Sequence, residues 1–304
     1  MSDATAQSVF PSAQYRNFAL AAALLALGFA LPLGRLWRFA VGDELFSYIP
    51  LMPLICGYLG WTQKAKLPVR SAPARMLAAV FFAAGTAATA GYFFLAHFNT
   101  PANLENSLAL STFAVLLFFT GLGCWFLGGA VMRALAFPFF LLIFMIPFPA
   151  VVRDGIEGFL QHGSAVIAEW MFTLCDTPVM RNEMVFRLPN ISLVVAPECS
   201  GIHSTLVLFI TSLLAAQMML RRPWKRAVLC LAVIPLALLR NGFRVFVLGE
   251  LCVHIGPQMI DSPIHHHGGP LFFVLSLVPF FLLLYWLKRT EAKGVTVPPP
   301  NSDK

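Results

Sequence analysis

Long apolar runs broken by short polar punctuation dominate this chain. The runs fall at about residues 17–34, 46–63, 76–96, 107–130, 134–152, 200–220, 227–248 and 271–287. Each approaches or exceeds the roughly 20 residues that a helix needs to cross a bilayer core, so the pattern predicts eight transmembrane helices. A largely polar stretch precedes Asn17 and no small-residue cleavage site follows the first run, so that run is expected to stay as an anchor. Residues 153–198 break the rhythm. Arg153 to Asp176 is apolar enough to be helical, but Asp154, Glu157, His162 and Glu169 would each be costly at mid-membrane, which predicts an interfacial helix. Pro189-Asn190 then separates Met184 to Leu188 from Ile191 to Val195, the signature of a short hairpin outside the lipid. The expected fold is an all-α polytopic membrane protein of about eight transmembrane helices, with an external interfacial helix and a β-hairpin between helices five and six. Residues 1–16 form a cytoplasmic tail, 17–287 a single transmembrane domain, and 288–304 a disordered Pro-rich end.

Composition removes the competing classes. The 304 residues are 58% hydrophobic and only 12% charged, where a soluble domain carries roughly 25%. That balance excludes an ordinary water-soluble globule, and with it disordered, collagen-like and disulfide-scaffold chains. The net charge of +7 does not mark a nucleic-acid binder, because in a membrane protein the placement of the cations is what matters. With both termini on one side, that side holds Arg16, Lys64, Lys66, Arg70, Arg75, Arg133, Arg221, Arg222, Lys225, Arg226, Lys288, Arg289, Lys293 and Lys304. The other side holds Arg35, Arg38, Arg153, Arg181 and Arg187. Cations are retained in the cytoplasm during insertion, so both termini are expected there. No nucleic-acid partner is expected, and membrane lipids are.

Six Cys are scattered, with no CxxC pair and no Cys/His zinc spacing, so neither a metal nor another cofactor is expected. Candidate chemistry lies instead in polar residues bordering the spans. Glu198-Cys199-Ser200-Gly201-Ile202-His203 opens the sixth span. A thiol at a helix N-terminus is stabilised as thiolate, and Gly201 would let a substrate backbone come close, so Cys199 is a candidate nucleophile. The competing reading makes Cys199 a packing residue and Ser200 a cap, and Glu198 opposes reactivity unless a cation offsets it. Arg240-Asn241 and Arg244 lie in the seventh span, with the two Arg one turn apart on one helix face. Counted from Ala227, Arg244 sits about 25 Å across a core of about 30 Å. Snorkelling would explain Arg244, whereas Arg240 lies deeper and calls for an internal partner. His265-His266-His267 precedes the eighth span, as a solvated loop, part of a metal site or a source of a catalytic imidazole. The three clusters share the external face by parity. A thiol, a guanidinium and an imidazole there suit acyl transfer to a thiolate, and Arg would supply fixed donors to an oxyanion or leaving group.

These residues resemble the exosortase/archaeosortase family of membrane cysteine transpeptidases. Cys199-Ser200-Gly201-Ile202, preceded by Leu193 to Ala196 and Thr177-Pro178-Val179, is similar to the family's C-S-G stretch; Asn241-Gly242-Phe243-Arg244-Val245 is similar to N-x-x-R; and His265 to Gly269 is similar to H-x-x-x-G. Weaker echoes are Phe137-Pro138 through Ile146-Pro147-Phe148-Pro149, and Phe46-Ser47-Tyr48 through Trp61. The resemblance implies that Cys199 carries the acyl thioester, that Arg244 donates the proton and that a His of the triplet stabilises the transition state. Spacing to Gly269 places His265 first, His266 second and His203, one turn from Cys199, third. It also implies secreted substrates ending in a Pro-Glu-Pro-like (PEP-CTERM) motif, a transmembrane helix and a basic cluster, with the new C-terminus passed to an unknown acceptor at the periplasmic face of the bacterial inner membrane. A protease that only hydrolyses would use the same residues. A transporter or scaffold for a polar or lipid-linked substrate, with Arg240, Arg244 and His265 lining a path, is the reading from another class.

Overall fold

A computed structural model describes residues 12–68, 71–97, 101–189, 191–195, 200–261 and 269–292. The chain forms two compact units, residues 1–153 and 154–304. Six of the described helical segments are long and apolar enough to cross a membrane, or up to eight if each of two bent pairs counts as one span. The fold is the expected all-helical membrane architecture with one small sheet.

The first unit starts with α1 (Ser12–Gly28) and α2 (Ala30–Gly42). The apolar run that predicts one span is bent by 73° between them. Pro32 explains the break: in the first turn of α2 it needs no amide donor, but in a continuous helix its ring would collide with the carbonyl of Gly28. α2 also changes character, with Leu33, Leu36 and Ala40 on one side and Arg35 and Arg38 exposed on the other. Two 3-10 turns, Glu44–Phe46 and Ile49–Leu51, lead into α3 (Met52–Gln63). α4 (Arg75–Ala96) and α5 (Pro101–Phe126) form an antiparallel hairpin, Gly85 lying against Phe118 and Gly121 against Phe82. The fifth apolar run is a series of short pieces, α6 (Gly129–Ala134), α7 (Ala136–Leu141) and a 3-10 turn at Leu142–Met145. Pro147 and Pro149, which lack amide donors, follow at once.

The second unit contains nearly all of α8 (Ala150–Leu174), then β1 (Met180–Asn182), β2 (Val185–Leu188) and β3 (Ile191–Val194). β2 and β3 pair antiparallel, Leu188 opposite Ile191. β1 adds a third strand through a tight turn in which Glu183 has φ 53°. α9 (Ile202–Met219), α10 (Pro223–Leu231), α11 (Val233–His254) and α12 (Gly269–Ala292) complete the unit. α8 and α11 run side by side in the same direction: Gly163 meets Leu238, Gly242 meets Ile167, and Gly249 meets Phe172. Small residues permit this close approach where lipid gives helices no hydrophobic reason to associate. The sheet covers the far end of the pair, where Phe186, Leu193 and Val195 pack with Ala168, Phe172, Val245, Leu248 and Cys252. A second core joins Leu208 and Ala216 of α9 with Leu229, Val233, Phe280 and Leu287. Leu271, Val274, Phe281 and Leu282 of α12 face outward, as a lipid-facing helix requires.

Candidate active site

The link between β3 and α9 is held at both of its ends by α8. Gln161 Nε2 donates to the carbonyl of Val195, and Ser200 Oγ donates to Glu157 Oε1 at 3.5 Å. Glu157 and Gln161 are four residues apart, so one helix face supplies both clasps. The Val195 amide donates in turn to the Met184 carbonyl at 2.9 Å, which anchors the near end of the link in the sheet.

The far end is fixed by α11. Asn241 donates through Nδ2 to the Ser200 carbonyl, and its Oδ1 accepts from Arg240 Nε at 3.2 Å. Arg240 Nη2 donates to the Gly201 carbonyl at 3.3 Å and to Thr205 Oγ1 at 3.1 Å. The Gly201 carbonyl also accepts from the Thr205 amide at 3.0 Å and from the Ser204 and Thr205 hydroxyls at 3.0 and 2.8 Å. Ser200, Asn241 and Arg240 are 1%, 3% and 7% exposed, so the knot is interior. Interior polar contacts of this kind are costly to break, because an orphaned group has no water to turn to. Gly201 closes the knot with φ +69°, the left-handed conformation that glycine adopts without strain. A Cβ there would strike the Asn241 carboxamide. Among the described residues no ion pair involves Arg240, and its Nη1 is buried without a hydrogen-bond partner. A buried cationic donor therefore stands beside the start of α9.

Arg244, half-buried, follows Arg240 by one turn and Asn241 by three residues on α11. A model of the transmembrane exosortase family matches residues 37–282. The chain belongs to the transmembrane exosortase family. Neither the curated proteins nor the solved structures hold a match to it.

The sequence-selected residues divide into those the structure describes and those it does not. Ser200, Gly201, Arg240 and Asn241 meet in the interior knot. His203 stands half-buried in the first turn of α9, whose N-cap is Gly201. Glu198, Cys199, His265 and His266 lie outside the described residues. Cys199 is the residue immediately before Ser200 in the chain. Sequence reasoning missed Glu157 and Gln161 as members of the assembly. A signal existed for Glu157: a carboxylate in an apolar helix is expensive unless something polar meets it. At the C-terminal end of the α8 and α11 pair, Thr177 Oγ1 donates to Glu250 Oε1 at 2.5 Å, His254 Nε2 lies 3.0 Å from Glu250 Oε2, and Arg181 pairs with Glu169 at 2.9 Å. Arg181 thus ties β1 to α8, and Thr177 ties the segment before β1 to α11.

Proposed function

We propose that this exosortase is a membrane-embedded cysteine transpeptidase that cleaves the C-terminal sorting signal of secreted proteins through an acyl thioester on Cys199. The thiolate attacks the scissile carbonyl, the C–N bond breaks and the amine leaves with a proton. Arg244 donates to the developing oxyanion or delivers that proton, and His265 stabilises the transition state. An acceptor nucleophile then attacks the thioester, joins the new C-terminus and frees the thiolate. The substrate carries a Pro-Glu-Pro-like motif, a transmembrane helix and a basic cluster, and reaches the site from the periplasmic face of the inner membrane, with both termini of the enzyme in the cytoplasm.

The observation that supports this reading best is the interior knot. Arg240 and Asn241 bind the backbone of Ser200 and Gly201, so α11, the helix that carries Arg244, is locked to the residues next to Cys199. Such preorganisation is what acyl transfer needs, because a 1 Å misplacement is capable of costing about a hundredfold in rate. The test is coexpression with a reporter bearing such a tail. Wild-type enzyme is expected to process it and to yield a hydroxylamine-sensitive adduct on Cys199, while Cys199→Ala and Arg244→Ala leave the reporter intact in a folded enzyme. Unchanged processing by Cys199→Ala would overturn the proposal, and mass spectrometry of the mature product separates transfer from hydrolysis.

A further inference from the structure

The first unit contains a feature that the transpeptidase reading leaves unused. A cavity of about 520 Å³ lies among α1, α2, α3, α5 and α7, lined by Ala22, Leu33, Pro53, Gly57, Val115 and Pro138 with further residues of the same kind. Every lining residue is apolar or glycine, Cys56 and Trp37 being the nearest to polar. Small-molecule sites ordinarily place several convergent polar groups to orient a ligand, and this one has none to recognise a polar molecule.

Size decides between the apolar occupants that a membrane offers. An α-helix with its side chains is about 10 Å across, so 520 Å³ would hold less than two turns of one. A single fatty-acyl chain, much thinner, fits. Charge supplies the rest. α2, bent by 73° from α1, turns Leu33, Leu36 and Trp37 toward the cavity and keeps Arg35 and Arg38 exposed on its opposite face. An amphipathic helix with Arg on one face and Leu and Trp on the other lies at the headgroup boundary, with its cations at the level of the phosphates. Asp43 follows α2, but its Oδ1 accepts from the Leu45 amide at 2.8 Å and so serves as a cap.

We propose that the cavity beneath α2 holds one acyl chain of an anionic phospholipid whose headgroup is drawn to Arg35 and Arg38. This lipid is a resident of the first unit and is bound whether or not substrate is present.

The experiment uses the full-length exosortase purified in mild detergent, exposed to an equimolar mixture of phosphatidylglycerol and phosphatidylcholine and read by native mass spectrometry. One retained phospholipid per chain is expected, with phosphatidylglycerol favoured about thirtyfold if both cations act on the headgroup. Gly57 and Gly60 both line the cavity on α3 and have open space where a Cβ would go. The double variant Gly57→Leu, Gly60→Phe therefore directs bulk into the cavity from two positions where a Cβ meets nothing, and replacing helical glycines favours the helix. It is expected to lose the lipid at an unchanged elution volume and thermal midpoint. Arg35→Gln with Arg38→Gln is expected to keep one lipid and lose the headgroup preference. If the filled variant does not fold, phosphatidylglycerol with brominated chains on the wild-type protein answers instead: the one retained lipid quenches Trp37, and the decrement disappears in Trp37→Phe. Equal lipid retention by the filled variant, a retained mass that is a peptide or a second copy of the chain, or a quenching decrement that survives Trp37→Phe each overturns the proposal.

Discussion

Asn241→Ala separates positioning from chemistry in the proposed site. The substitution removes the donor to the Ser200 carbonyl and the acceptor for Arg240 Nε at once. An average hydrogen bond between membrane helices is worth only about 0.6 kcal/mol, because its groups find other partners when it is lost. Asn241 is 3% exposed and Arg240 7%, so the abandoned groups stay in the protein interior. The relevant cost is that of orphaned buried groups, about 1–3 kcal/mol each and more where one is charged. Part of that strain is expected to appear as loosening of the start of α9, where a displacement of 1 Å is enough to cost about a hundredfold in rate. The assay pairs turnover of a tailed reporter with thermal unfolding of the purified enzyme. Asn241→Ala is expected to lower both, whereas Arg244→Ala lowers turnover and spares the thermal midpoint. Asn241→Asp keeps the acceptor for Arg240 but loses the donor to Ser200, so it should recover stability more than turnover. Wild-type turnover and an unchanged midpoint in Asn241→Ala would refute the structural role given to the knot.

Four further outcomes follow from the same structure. Gly201→Ala forces a side chain into the left-handed region at φ +69°, a cost of about 1–2 kcal/mol, and drives its Cβ into Asn241, so reporter processing should fail. Gln161→Leu releases the Val195 carbonyl while the Val195 amide keeps its bond to Met184, so turnover in the reporter assay should fall more than the melting temperature. Gly242→Val sets a branched side chain against Ile167, whose Cγ2 lies 2.6 Å from where the Cβ would sit; overpacking of about 1–3 kcal/mol should part α8 from α11 and reduce folded yield, measured by size exclusion. Lys225, 2% exposed, donates through Nζ to the Leu287 carbonyl at 2.9 Å and to Thr290 Oγ1 at 2.7 Å. Lys225→Met should cost about 1.5–3 kcal/mol and loosen the joint between α10 and α12, which denaturant titration would register.

The uninterrupted spans were legible in the sequence because length and hydropathy suffice to define a crossing helix. The runs near 76–96 and 107–130 correspond to Arg75–Phe94 and Leu104–Phe126, and the run near 200–220 to Ile202–Met219. The hairpin was legible too, since Pro189-Asn190 is a turn signal between two alternating segments, and β2 and β3 pair on either side of it. The break after Gly28 was not, because a hydropathy window averages over Pro32 and cannot register one missing amide. β1 escaped for a similar reason: three residues, Met180–Asn182, are too few to show a period. At the site, the motif residues carried their own signal, but the contacts of Gln161 and Thr205 depend on which helices become neighbours. A glutamine four residues from a glutamate says nothing about a carbonyl thirty-four positions away.

Both clasps on the β3–α9 link spring from successive turns of a single helix. The same two ends are also bound elsewhere, Val195 by the sheet and Ser200 by α11, so three elements together set the distance between them. An epitope tag spliced between Val195 and Ser200 would load the bonds to Gln161 and Glu157 at the two ends of the link, so it should be less tolerated than one placed beyond Ala292.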